Sequence, residues 1–308
     1  MAGKIVVTTC AANHLAQAKS LGESLLRHNP NYQFIIGLAD KVDGRIPESY
    51  WAPFRLIEAE ALNIPEFSEM QRRYNLLELN CALKSFFLDY VMETFDPEMP
   101  FFMDSDMLVF NSFAYLEDRL KQHSILLTPH ITSPFPQDGN RPQEKDILKT
   151  GIYNAGFLGL KNDSNSHQFL KWWKSRMVDQ CYERPKEGLN VDQNWLNLVP
   201  LYFKSVDILN HPGCNVAYWN LHERSLIKSD ERFIVNSQLL LFFHYSGYSL
   251  QQPQALSRHQ DRVEVSEALK ELLSIYQKEL VKNNHEELLK LKPYYGRQKK
   301  KGWKKLFG

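Results

Sequence analysis

Residues 101–110 read FFMDSDMLVF and place two aspartates, Asp104 and Asp106, inside an apolar run. Pro97 and Pro100 disfavour a helix here, so the pattern predicts a buried strand whose end carries the carboxylates. In an extended chain these two side chains point the same way and repel unless a cation or protons neutralise them. Oxygen ligands of this kind favour Mg²⁺ or Mn²⁺, which could in turn hold a diphosphate. The alternative is a solvated turn after a strand.

The chain before this stretch predicts a parallel sheet covered on both faces. Residues 4–9 and 32–39 are short apolar runs typical of strands, and residues 13–28 between them carry apolar side chains at helical spacing. A strand, a helix and a strand in this order build parallel sheets, whose ligands bind at the carboxyl ends of the strands. Residues 8–13 are therefore a candidate nucleotide-binding turn. They contain neither Gly-x-Gly-x-x-Gly nor a Walker sequence, which argues against dinucleotide oxidoreductases and P-loop enzymes.

Two other segments carry polar residues beside apolar ones. A helix predicted over residues 73–92 has one apolar stripe, and Lys84 lies off it. A solvated helix lysine is the simpler interpretation, whereas a second one places its ammonium near the anion that a metal would hold. Residues 129–149 are rich in Pro, Gly, Asn and Asp, and we interpret them as a mobile lid or an acceptor loop.

A histidine ends another apolar run. Residues 239–245 read LLLFFHY and predict a buried strand that ends near His244. A histidine in such a strand is usually a core residue with satisfied hydrogen bonds. His244, however, stands at the strand end where ligands bind, as Asp104 and Asp106 do.

Composition indicates an ordinary soluble globular protein, with 43% hydrophobic and 24% charged residues. The sequence has no run of about 20 apolar residues, and its start, MAGKIVVTTC, lacks the features of a signal peptide. We therefore expect a cytoplasmic protein. The four cysteines show no paired spacing, so they predict buried free thiols, without a zinc site or a disulfide framework.

The end of the chain is strongly basic. Residues 292–308 contain seven lysines and arginines and no aspartate or glutamate. Trp303, Leu306 and Phe307 lie among the lysines, a composition expected of a segment that binds an anionic membrane surface. A disordered, solvated tail is the alternative. We expect peripheral association with the inner face of the membrane and, although nucleic acid is also a polyanion, no nucleic-acid partner.

Four separated blocks of the sequence resemble GT-A glycosyltransferases of the family 8 type, which include the glycogenins and the bacterial lipopolysaccharide galactosyl- and glucosyltransferases. The blocks are VTTCAANHLAQAKSLGESLLRHNP (residues 7–30), FFMDSDMLVF, YNAGFLGL (153–160) with VDQNWLN (191–197), and FFHYSG (242–247). The resemblance implies an α/β, Rossmann-like GT-A fold with a mostly parallel central sheet. It also implies a catalytic domain over residues 1–250 and a helical C-terminal extension with a basic tail over residues 251–308.

The resemblance also implies a set of site residues. It places Mn²⁺, or Mg²⁺, on Asp104, Asp106 and His244, and Asp192 and Gln193 at the reacting carbon of the donor sugar. The nucleotide-sugar donor is expected to contact Thr8, Thr9, Ala11, Asn13, Lys84, Asp104, Ser105, Asn154, Ala155, Gly156 and Gly247.

The implied activity is transfer of a hexose from a nucleotide-diphosphate sugar, expected to be a UDP-sugar, to a glycan or lipid-linked saccharide acceptor. Family 8 enzymes retain the anomeric configuration. Because glutamine is a poor nucleophile, we favour front-face attack with Asp192 as a positioning or stabilising group, and a nucleophilic role for Asp192 stays open.

The sequence departs from the family pattern in two places. Asn194 stands where the family often has a second aspartate, and Leu250 stands where it has a lysine that holds the diphosphate. Another cation would have to replace that lysine, and Arg224, Arg232 and Arg258 are the candidates.

Two other classes of protein fit part of the pattern. Phosphatases of the haloacid dehalogenase type also carry Asp-x-Asp at a strand end, which would make Asp104 a nucleophile. In those proteins Thr or Val normally follows two residues after the second aspartate, where this chain has Leu108. The second alternative is a non-catalytic module that binds a nucleotide or glycan at a membrane, although such a module has no need for three intact metal ligands.

Overall fold

The computed structural model describes residues 3–297. Its strands are β1 (Lys4–Cys10), β2 (Tyr32–Leu38), β3 (Arg55–Glu58), β4 (Met99–Met103), β5 (Met107–Val109), β6 (Ile125–Pro129), β7 (Tyr153–Leu160), β8 (Glu183–Arg184), β9 (Leu189–Asn190), β10 (Val206–Ile208), β11 (Leu226–Ser229), β12 (Arg232–Val235), β13 (Gln238–Leu239) and β14 (Phe242–His244). Its helices are α1 (Leu15–His28), α2 (Phe67–Arg73), α3 (Leu76–Phe95), α4 (Ala114–Gln122), α5 (Glu144–Thr150), α6 (Ser164–Met177), α7 (Val199–Tyr202), α8 (Glu267–Lys282) and α9 (His285–Leu288).

A seven-stranded sheet forms the centre of the fold, in the order β10-β6-β7-β4-β1-β2-β3. The pairs β1–β2, β1–β4, β2–β3 and β6–β10 are parallel, whereas β7 runs antiparallel to β4 and β6. The predicted mostly parallel α/β sheet is confirmed. Because β7 is reversed, its first residues lie at the edge where β1 and β4 end.

Both faces of this sheet are covered, as its continuous apolar strands require. Ile5 and Val7 of β1 belong to the apolar cluster that includes α3 and α6. Val6 between them belongs to the cluster on the other face, with α1 and α4. This alternation follows from the two-residue period of a strand, and it leaves the polar end of β1 at the edge of the sheet.

The predicted buried strand whose end carries the carboxylates is β4, and the apolar residues after Asp106 form a separate strand, β5. β4 ends before Asp104, whose N–H donates to the carbonyl of Gly156 at 2.8 Å. After Asp106, β5 leaves the central sheet and pairs antiparallel with β14, with Met107 opposite His244. The break therefore places both aspartates beside the histidine.

Two other predicted segments also differ in detail. The helix predicted over residues 73–92 is α3 (Leu76–Phe95), which begins three residues later because Asn75 forms a capping box with Glu78. The segment predicted as a mobile lid or acceptor loop contains α5, and Arg262 donates to Asp138 at 2.7 Å and to the carbonyl of Asn140 at 2.8 Å.

The C-terminal helix α8 packs on the body of the protein. Leu272 and Tyr276 are buried in one apolar cluster with Leu108 and Phe243. The predicted domain boundary at residue 250 stays a prediction. Within residues 3–297, no helix combines the length and the apolar character that crossing a membrane would need. The prediction of buried free thiols is confirmed for all four cysteines.

The last residues that the structure describes lie against the strand ends. The N–H of Tyr294 donates to Asp40, which follows β2, at 2.7 Å. The N–H of Arg297 donates to the carbonyl of Tyr74, just before α3, at 2.6 Å. Most of the predicted membrane-binding tail, including Trp303, Leu306 and Phe307, lies outside the described residues.

Candidate metal and donor site

A cavity of about 290 Å³ opens where β1 and β4 end and α3 begins. Predicted donor residues that line it are Thr9, Ala11, Lys84, Asp104 and Ser105. Asp106 lines it as well, so both aspartates of the Asp-x-Asp motif face the same space as the end of β1.

Asp104, Asp106 and His244 form a cluster that could hold a metal ion. One possible ligand atom from each residue lies within 4.8 Å of those of the other two. Nε2 of His244 is 3.1 Å from Oδ1 of Asp106. Burial alone would lower the pKa of His244, but the Asp106 carboxylate outweighs it and raises that pKa. Desolvation opposes ionisation of Asp106, whose pKa is nevertheless lowered by His244.

Gly156 of β7 leaves room for this cluster. A β-carbon at that position would lie 2.7 Å from Cε1 of His244 and 2.8 Å from Oδ2 of Asp104, far inside normal contact distance. The absence of a side chain thus keeps free the space between a carboxylate and an imidazole. Two carboxylates and one imidazole suit a small divalent ion such as Mn²⁺ or Mg²⁺, so the residues present fit the expected metal.

Lys84 is buried, and the interpretation as a solvated helix lysine is wrong. Its Nζ lies 2.9 Å from Oδ1 of Asp104 and 3.1 Å from Oδ2 of Asp192, and it donates to the carbonyl of Ala155 at 3.3 Å. The side of α3 that carries Lys84 faces the sheet, where two carboxylates compensate the ammonium. Burial raises the pKa of Asp192, and Lys84 opposes that rise.

Gln193 is held by hydrogen bonds from both ends of its amide. Oε1 accepts from Nδ2 of Asn154 and from the N–H of Ala155, both at 3.1 Å. Nε2 donates to the carbonyl of Thr150 at 2.7 Å. The structure thus brings Asn154, Ala155, Asp192 and Gln193 together beside the metal cluster, although they come from two separate sequence blocks.

Thr8, Thr9, Asn13 and Gly247 differ in what supports their predicted contact with the donor. Thr8, Thr9 and Asn13 each have a buried side-chain oxygen that finds no hydrogen-bond partner within residues 3–297, which suits contact with a ligand. Gly247 has a left-handed backbone with φ of +75°, and a β-carbon there would lie 2.5 Å from Oγ of Ser257. Gly247 is therefore required by close packing.

The three candidate replacements for the missing lysine lie in different places. The guanidinium of Arg224 is buried and donates to the carbonyls of Pro212 and Cys214, at 3.0 and 2.6 Å. Arg232 begins β12. Arg258 is exposed, and its backbone N–H donates to the carbonyl of Gly247 at 3.3 Å. Of the three, Arg258 is joined to the His-x-x-Gly turn.

Sequence reasoning missed Asn215 and His130, which are both buried behind the metal cluster. Residues 211–224 were recognisable only as a loop rich in hydrogen-bonding groups. Burial lowers the pKa of His130 to about 4, so this imidazole is neutral at pH 7. Its Nε2 lies 3.2 Å from Nδ2 of Asn154.

Comparisons with known proteins support the fold. No protein-family model matches the chain. It is 25% identical over 250 residues to the uncharacterized protein YfnF of Bacillus subtilis (strain 168), covering 79% of this chain and 81% of YfnF. It is also 25% identical over 251 residues to the uncharacterized protein YfnD of that strain, covering 79% and 77%.

Several solved glycosyltransferases have a similar structure. The galactosyltransferase LgtC, in complex with donor and acceptor sugar analogs, superposes with a TM-score of 0.56 at 16% identity, over 90% of this chain and 95% of LgtC. The bifunctional enzyme WbbM gives 0.53 at 14% identity, over 94% of this chain and 51% of WbbM. GlyE of Streptococcus pneumoniae TIGR4 gives 0.50 at 14% identity, over 97% and 66%. At these identities the likeness concerns the fold, and the predicted GT-A fold is confirmed.

Proposed function

We propose that this protein is a metal-dependent glycosyltransferase that moves a hexose from a UDP-sugar to a glycan or lipid-linked saccharide, with retention of configuration. The observation that carries the proposal is the cluster of Asp104, Asp106 and His244, whose two aspartates line a cavity at the carboxyl ends of β1 and β4. Ligands of open α/β sheets bind at such an edge. The fold shared with LgtC, which was solved with donor and acceptor sugar analogs, supports the same assignment.

Asp104, Asp106 and His244 would hold Mn²⁺ or Mg²⁺. When bound, the ion would supply Lewis-acid stabilisation of the charge that develops on the departing nucleoside diphosphate. The cavity beside these residues would hold the nucleotide, with the buried oxygen of Thr9 in its lining as a contact, whereas Thr8 and Asn13 do not line it.

The protein groups near the reacting carbon favour front-face attack. The amide oxygen of Gln193 accepts two hydrogen bonds and its nitrogen donates one, and an amide is a poor nucleophile. The carboxylate of Asp192 is buried and paired with Lys84, which suits a group that stabilises positive charge on the sugar from a fixed position. In this scheme the acceptor oxygen bonds to the anomeric carbon on the face that the diphosphate leaves, and the hydroxyl proton passes to the departing oxygen.

Calorimetric titration of UDP tests the proposed donor site. We expect binding to the purified protein with Mn²⁺, and none with EDTA. The variants Asp106→Asn and His244→Ala should lose the metal-dependent binding, whereas the matched surface variants Asp118→Asn and His167→Ala should keep it. If neither UDP nor GDP, CDP or dTDP binds under any condition, the proposal is wrong.

Two further measurements separate the alternatives. UDP-sugar hydrolysis that is abolished by Asp106→Asn would distinguish an enzyme from a binding module, whose cellular function would survive that change. A covalent phosphoenzyme trapped on Asp104 would instead support the phosphatase interpretation.

The basic tail would bring the enzyme to an anionic membrane surface and to a lipid-linked acceptor, on the cytoplasmic side. Truncation after Arg297 removes five of the seven basic residues and leaves the backbone contacts of Tyr294 and Arg297 in place. We expect the truncated protein to bind anionic liposomes more weakly and to hydrolyse the donor normally. Unchanged liposome binding would indicate another partner for the tail.

A further inference from the structure

Asn215 lies at the centre of a buried hydrogen-bond network behind the metal cluster. It is fully buried, and its Oδ1 lies 3.3 Å from Nδ1 of His244. Its Nδ2 donates to Oδ1 of Asn154 at 3.0 Å and to Oγ1 of Thr128 at 2.9 Å. Both amide hydrogens and the amide oxygen of Asn215 are therefore used.

The orientation of the Asn215 amide follows from a backbone group. The N–H of Gly156 donates to Oδ1 of Asn154 at 3.1 Å, which identifies that atom as an oxygen. The Asn215 atom that faces it must then be the nitrogen, so the Asn215 oxygen is the atom that faces His244. Since an amide oxygen only accepts, Nδ1 of His244 carries the proton and Nε2 is left for a metal.

The same network reaches the residues expected at the donor sugar. Nδ2 of Asn154 donates to Oε1 of Gln193 at 3.1 Å. Asn215 thus stands between a metal ligand and the amide of Gln193, with one intervening side chain on the sugar side. Metal ligands are commonly oriented by such outer partners, whose loss lowers metal affinity by about 10- to 100-fold.

The backbone of Asn215 is also specialised. Its φ is +51°, in the left-handed region that asparagine and glycine adopt more readily than most residues. Its carbonyl accepts from Nδ2 of Asn220 at 3.0 Å, and that amide also contacts the carbonyl of His130 at 3.3 Å. The position of the Asn215 side chain is thereby fixed from the backbone side as well.

We propose that Asn215 is a positioning residue that orients His244 for the metal and, through Asn154, joins the metal centre to Gln193. This inference rests on the proposed function, because it takes Asp104, Asp106 and His244 as the ligands of a divalent ion. Asn215 would thus hold the metal-facing nitrogen of His244 in position.

Titration of Mn²⁺ into the metal-stripped full-length protein, without nucleotide, tests this role. Asn215→Gly keeps the left-handed backbone and removes the acceptor, and we expect it to lower Mn²⁺ affinity at least about tenfold. Asn215→Asp keeps an acceptor for Nδ1 and should bind Mn²⁺ within about threefold of wild type or more tightly. Because neither glycine nor an aspartate carboxylate can donate to Asn154, both variants should hydrolyse the donor more slowly.

The matched control is Asn283→Ala. Asn283 is also buried, and its amide donates to Ser20 and Glu23, away from the cluster. This variant should lose stability and keep its Mn²⁺ affinity, which separates a local role from a general loss of packing. Thermal unfolding of every variant shows whether it is folded.

The protonation of His244 can also be read directly. Nitrogen-15 spectra of the Mg²⁺-loaded wild-type protein, assigned with His244→Ala, should show the proton on Nδ1. A proton on Nε2, or wild-type Mn²⁺ affinity in a folded Asn215→Gly, would overturn the role of Asn215 alone. If the wild-type protein binds neither Mn²⁺ nor Mg²⁺, the proposed function fails together with this inference.

Discussion

Two clusters of buried polar side chains meet at the candidate metal site, and their members differ in chemistry. One is ionic, with Lys84 between Asp104 and Asp192. The other is formed by neutral amides, with Asn215 between His244 and Asn154. Both join residues that are far apart in the sequence. The ionic cluster compensates charges that the site needs, whereas the amide cluster sets the direction of individual atoms, so removal of one member should cost more in the first than in the second.

Replacement of Lys84 should have the largest effect on stability. Lys84→Met keeps the length of the side chain and leaves two carboxylates without their buried cation, which costs about 3–5 kcal/mol in the free energy of unfolding. Urea denaturation in EDTA measures it. The matched change Lys174→Met breaks the partly exposed pair with Asp89 and should cost less than about 1 kcal/mol. Equal losses in the two variants would contradict the difference between buried and exposed pairs.

Acid pH should weaken the amide cluster through His130. The folded pKa of this histidine is lowered by burial from 6.5 to about 4, so the unfolded chain takes up a proton more readily. The stability from neutral His130 is fully present above about pH 6.5 and is lost as the pH falls to about 4, by up to about 3 kcal/mol.

The variant His130→Gln tests this pH dependence. Urea denaturation at several pH values should show a flatter loss of stability in the variant than in wild type between pH 6.5 and 4. Parallel curves would show that another group causes the acid sensitivity.

Removal of an amide should have the smallest of the three effects. Asn154→Ala leaves the N–H of Gly156 and the amide of Asn215 without their acceptor, which costs about 1–3 kcal/mol. Asn162→Ala, which breaks an exposed bond to Asp96, is the control. A loss as large as that of Lys84→Met would remove the distinction between the two clusters.

The sequence was sufficient for the sheet and for the three residues, Asp104, Asp106 and His244, that together could hold a metal ion. The strands of the central sheet are short and mostly apolar, and this pattern can be recognised without knowledge of tertiary contacts. The break between β4 and β5 was not visible, because the apolar pattern continues on both sides of the aspartates. Only the pairing of β5 with the distant β14 shows that the chain changes sheets there.

The two clusters differ in what the sequence could indicate. Lys84 had two interpretations, a solvated helix lysine or an ammonium near the bound anion, because helical periodicity treats every lysine as polar. Its partner Asp192 lies far along the chain. The role of Asn215 was even harder to predict from the sequence, since an asparagine in a loop usually forms a turn. Its role depends on Thr128, Asn154 and His244, which come from three other segments.

The short β5–β14 ladder has a further consequence for the intact molecule. It pairs two segments that are 137 residues apart in the sequence, since Met107 lies opposite His244. An ion held by Asp104 and Asp106 on one side and His244 on the other would close the same long loop that a covalent cross-link would close. Because the three residues come together only in the folded protein, binding of the ion would stabilise the folded state. The bound ion would therefore protect the protein against proteolysis, even in the absence of a sugar substrate.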